Sequence, residues 1–181
     1  MIMTVGEFRQ HVATDAPDDV LEARLQAVES FIRNYTNNNF QKKGTGRIVD
    51  VVGGTFMMES LNPYEVGDTL HVSGSEKNDG LYTVKEVNEF TCTVNEKTRD
   101  EIDIFVTKVE YPADVKVGAV ELMKHDLCRR EKVGIASERI SRHEVSYHAV
   151  DATNTVQGYP QHLMGFLQQH MKARFGQGVR A

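Results

Sequence analysis

A chain of 181 residues, 40% apolar and 26% charged, with 14 Gly and 4 Pro, is long enough for one buried core and excludes a low-complexity or disordered polypeptide. A net charge of -5 opposes a surface built to grip nucleic-acid phosphates over a large area, and no apolar run approaches the roughly 18–20 residues of a membrane span. Two cysteines, Cys92 and Cys128, cannot form a disulfide framework and suit a reducing compartment, while the opening MIMTVGEFRQ lacks the basic and apolar regions of a signal peptide.

Charge is uneven along the chain. Residues 1–43 sum to -1, residues 44–111 to -7 and residues 112–181 to +3. The hydrophobic period changes at the same places. Thr4 and Glu7 have the spacing of a capping box, which predicts a short helix through about Val12. Asp15, Pro17 and Asp18-Asp19 start a second helix, because acids favour the positive helix end. Leu21, Leu25, Val28, Ile32 and Tyr35 share one of its faces, and Asn37-Asn38-Asn39 ends it.

After Gly44 the pattern is that of strands: Arg47–Val52, Thr69–Ser73, Leu81–Val87, Phe90–Val94 and Ile102–Val109. Ile102, Ile104 and Val106 alternate with Asp103, Phe105 and Thr107. Gly53-Gly54, Asn62-Pro63, Gly67-Asp68 and Asn78-Asp79-Gly80 punctuate them, which predicts a small antiparallel sheet or barrel. Pro112 opens a third helix with Val115, Ala119, Leu122 or Met123, and Leu127 as its stripe, stopped at Gly134. Ile135–Tyr147 reads as an extended arm and Asp151–Gly158 as a polar loop. Pro160 opens a last helix with Leu163, Phe166, Leu167, His170 and Met171 on one face, and Gly176–Ala181 reads as a flexible tail. The expected fold class is α+β, a small helical bundle of about four helices with an inserted antiparallel β-sheet or small β-barrel. Residues 1–43 and 112–181 form its frame, and residues 44–111 the insertion.

No pattern of catalytic chemistry stands out. His125 and Cys128 lie one helical turn apart, and His143 and His148 flank an extended segment, but no further pair of metal-ligand spacing completes a zinc site. Ser73–Gly80 resembles a cation loop until Lys77 falls where a carboxylate is needed, so it reads as a hairpin loop. The glycine pairs have no following Gly-Lys-Ser/Thr, and no serine elbow or activated cysteine is evident. Phe56, Tyr64, Tyr82, Phe90 and Phe105 could stack on bases, but the acidic charge around them makes core packing the better reading. No catalytic residue, metal ligand or cofactor is expected.

Three segments together resemble the tailed-phage head–tail connector (adaptor, or head-completion) family. The first is Asp18-Asp19-Val20-Leu21-Glu22-Ala23-Arg24-Leu25, continuing through Phe31-Ile32 and Tyr35 to Phe40. The second is Pro112-Ala113-Asp114-Val115-Lys116 with His125 and Arg130-Glu131, followed by Gly134–Glu138 and Val145-Ser146-Tyr147. The third is Tyr159-Pro160 opening a helix that ends in Lys172 and Arg174. They cover roughly residues 3–43 and 112–175; the family usually has a much shorter connection where this chain has residues 44–111. The resemblance implies a structural virion protein of the neck, made in the host cytoplasm, and not an enzyme. Its copies would form a homo-oligomeric, dodecameric ring between the portal protein and a stopper or tail-completion protein. DNA would pass through the channel without sequence-specific binding, and no membrane would be involved. Candidate interface positions are Ile135, Ser137, Val145, Tyr147, Phe175 and Arg180. The other reading is a soluble ligand-binding module or small enzyme with its site in the β insertion.

Overall fold

The computed structural model describes residues 1–129, 137–140, 143–146, 155–156 and 158–173. It divides into two compact units: Met1 with residues 38–111, and residues 2–37 with residues 112–181.

The first unit is a closed six-stranded antiparallel barrel. Its strands are β1 (Arg47–Val52), β2 (Thr55–Met58), β3 (Thr69–Ser73), β4 (Gly80–Val87), β5 (Thr91–Val94) and β6 (Glu101–Val109), joined around the barrel in the order β1-β2-β5-β4-β3-β6. The pairing of β1 with β6 closes it, which leaves no open edge to template aggregation. Val49 and Val51 of β1 point inward to meet Phe56, Met58, Leu70, Val72, Tyr82, Val84, Cys92, Ile104 and Val106. Tyr64, on the loop after β2, joins this core, and its hydroxyl donates to the carbonyls of Thr45 (3.0 Å) and Val106 (3.1 Å). The interior is therefore filled by side chains, as small barrels generally are.

The second unit holds α1 (Val5–His11), α2 (Asp18–Thr36) and α3 (Ala113–Arg129). Two short antiparallel ribbons accompany them, β7 (Ser137–Ile140) with β8 (His143–Ser146) and β9 (Thr155–Val156) with β10 (Tyr159–Pro160), as does a 3-10 segment over Gln161–His170. Thr4 caps α1 through the reciprocal bonds of a capping box with Glu7. Pro17 precedes α2 without a side-chain cap, and Asn37 ends it in the left-handed conformation (φ 50). Leu21, Leu25, Val28 and Ile32 of α2 and Val115, Ala119, Leu122 and Met123 of α3 are buried.

These findings overturn the expected fold class. The chain is not a small bundle of about four helices carrying an inserted sheet. The closed barrel is a self-sufficient body with its own core, and the described residues outside it hold three α-helices, one of only seven residues. The expected last helix is a 3-10 segment, whose three-residue period stacks Met164 and Leu167 inward and places His170 one turn further on. The expected arm is in part the β7–β8 ribbon, while its ends at Ile135 and Tyr147 lie outside the described residues, as does Gly134.

Two local differences concern the barrel. Thr55–Met58 forms a strand that the sequence pattern does not announce, being four residues with two methionines. In β6 the alternation breaks. Asp103 sits at φ 58 in a bulge opposite Asp50, so Ile104 and Val106 point inward while Ile102, which strict alternation places beside them, is 69% exposed.

Candidate functional site

Each unit carries surface features of its own. On the barrel, the outward positions of β1 are Ile48, Asp50 and Val52. Phe105 of β6 stands directly opposite Ile48, and its ring lies across Gly46, where a Cβ would meet it at 2.8 Å. Met57 of β2 stands opposite Asp50, and the β6 bulge places Ile102 and Asp103 on Asp50's other side. The result is an exposed apolar patch (Ile48 63%, Val52 52%, Met57 48%) set around a carboxylate that accepts the Asp103 N–H at 3.0 Å. Large apolar groups grouped in this way on a surface mark an interaction face more often than a solvated one.

One end of the barrel is tied together by carboxylates. Glu101 accepts from the Ser75 hydroxyl (2.6 Å), the backbone N–H groups of Glu76 (2.8 Å) and Lys77 (3.2 Å), and the Asn78 amide (2.8 Å). Asn78, almost wholly buried, also exchanges bonds with the backbone of Arg99, and Asp100 accepts the Gly53 N–H at 2.8 Å. Three loops are thereby pinned to one another. The bond from Ser75, with those from Glu76, Asn78 and Lys77, holds the Glu101 carboxyl below its ordinary value. The Ser73–Gly80 segment is thus a loop organised on an internal anion. Its left-handed residue is Gly74 (φ 77).

In the helical unit, Val20, Ala23, Ala27 and Phe31 of α2 floor a groove of about 490 Å³ whose wall is Arg24, Asp126 and Tyr159. Arg24 donates to the Asp126 carbonyl (3.3 Å), and the Tyr159 hydroxyl to its carboxylate (2.8 Å). Asp114, in the first turn of α3, accepts from His170 and Gln169, both at 2.7 Å, and the His170 contact is the foremost cause of its lowered pKa.

No protein-family model matches the chain, and no curated protein matches it. Any functional reading therefore rests on residues and geometry.

Of the interface positions expected from the sequence, Ser137 lies in β7 and Val145 in β8, at successive steps of one ladder: Ser137 pairs with Ser146, and Glu138 with Val145. Ile135, Tyr147, Phe175 and Arg180 lie outside the described residues. The Asp50-centred patch was missed. The available signal was apolar residues on both faces of β1, since a one-sided strand needs them on only one.

Barrel chemistry points away from nucleophilic catalysis at Cys92. Burial alone pushes its thiol up to about 11, which keeps the unreactive protonated form at neutral pH. Burial is also the main cause raising the Tyr64 phenol, with Cys92 adding to it and Arg47 opposing. Among the described residues no cluster of His, Cys, Asp and Glu could hold a metal ion, and no helix is long and apolar enough to cross a membrane.

Proposed function

We propose that the chain is a structural head–tail connector, a virion neck protein. Its copies form a dodecameric ring that joins the portal to a stopper or tail-completion protein and lets DNA pass. The observation that carries this reading is where the resembling segments meet. Residues 2–37 and 112–173, separated by the whole barrel, belong to one compact unit. Within it Arg24 bonds to Asp126, Asp114 to His170, and the Asn37 amide donates to the carbonyls of Lys172 and Ala173. Segments that belong to one compact unit can work together although the chain between them forms another.

A structural role also suits a barrel whose inward side chains pack into one core, where burial raises the Cys92 thiol. Ring formation requires heterologous contacts that close by rotation. The test is to mix the purified chain with the portal protein encoded in the same genome and image the product by electron microscopy. Density stacked on one end of the portal, absent from portal alone, is expected. Failure to bind portal under conditions where both proteins are folded overturns the reading.

A further inference from the structure

The patch on β1 and β6 has an unusual composition for a self-complementary surface. Its apolar members, Ile48, Val52, Met57, Ile102 and Phe105, surround Asp50, with Asp103 beside it. Two such faces meeting symmetrically would press carboxylate against carboxylate as water left, at a cost the apolar area would have to overcome. A fitting partner instead offers a cation flanked by apolar groups. An arginine serves best, because its planar fork matches a carboxylate and it is weakly hydrated.

The chain itself carries such a sequence. No acidic residue follows Asp151, and residues 172–181 hold Lys172, Arg174 and Arg180 together with Phe175 and Val179. The start of this segment is anchored. The Lys172 N–H donates to the Thr36 carbonyl at 2.8 Å, and Asn37 holds the carbonyls of Lys172 and Ala173.

We propose that the Asp50-centred face of the barrel is a docking surface for the basic segment 172–181 of a second copy of this chain. Phe175 and Val179 supply apolar groups to match the ring on that face, and Arg174 and Arg180 supply cations to match Asp50 and Asp103. The contact joins two different surfaces, so it links copies head to tail and is compatible with a closed ring. It stands independently of whether portal is a partner.

A photo-crosslinker in place of Phe175, in the full-length chain mixed from light and isotope-heavy copies, tests it directly. Adducts joining light to heavy copies are expected on residues 48–57 and 101–105, with yields falling about fivefold or more in Asp50→Arg and in Ile48→Ser. Both positions are exposed, and circular dichroism checks that the variants keep their fold. Adducts confined to single copies, adducts elsewhere on the chain, no adduct at all, or yields indifferent to both substitutions would each overturn the proposal.

Discussion

Gly118 sits in the interior of α3, where alanine is normally worth about 1 kcal/mol more than glycine. A Cβ there would run into the Phe166 ring, a closer approach than any side chain tolerates, so packing outweighs propensity. Gly118→Ala should therefore cost about 1–3 kcal/mol by urea denaturation, the range for overpacking. In a Phe166→Ala background the same change should become neutral or favourable, since the two residues are directly coupled. In the barrel, Tyr64→Phe should cost about 1 kcal/mol, because the buried Val106 carbonyl and the part-buried Thr45 carbonyl lose the hydroxyl they share. Cys92 should resist alkylation at pH 8 in the folded chain and react on denaturation, as read by mass spectrometry of its peptide.

Glu101 shows the same logic for pH. Its folded pKa is depressed, so its contribution to stability is present above the unfolded carboxylate value and lost as pH falls through the folded one. Glu101→Gln should lower stability at neutral pH and flatten that part of the acid limb, measured as denaturation midpoint against pH.

At the scale of elements, the β6 bulge decides what the barrel shows to solvent. Asp103 at φ 58 holds a conformation that aspartate tolerates and β-branched residues do not. Asp103→Val should therefore destabilise the barrel by about 1–2 kcal/mol, whereas Asp103→Gly should be neutral or slightly stabilising. The bulge also explains the limits of the sequence reading. Arg47–Val52 and Thr69–Ser73 are legible as strands because their β-branched residues are regularly spaced, and their bounds agree with the structure. The capping box of α1 and the left-handed Asn37 after α2 are equally local, so they too can be read from the chain. Ile102 cannot, because its face depends on which partner residue it meets across β1. The 3-10 segment is hidden for a related reason. Its apolar spacing of three and four residues fits an α-helix, and only the burial of Met164 and Leu167 reveals the tighter period. The Asp50 patch has no sequence motif, since it is assembled from three strands by register alone.

For the whole molecule, the acidity of residues 44–111 and the mild basicity of residues 112–181 belong to bodies with separate cores. The net charge of -5 therefore averages two surfaces and describes neither. On the proposed connector reading, the ring-forming segments belong to the helical unit and the barrel is a body of its own. Replacing residues 44–111 by a short linker should then leave portal binding in place while removing every crosslink to the Asp50 face. The most direct measurement of the central claim is native mass spectrometry of the full chain mixed with the portal protein encoded in the same genome. The account predicts one assembly in which the copies of this chain match a closed ring on the portal. A portal that retains no copies, or that takes up single copies without a fixed stoichiometry, would contradict it.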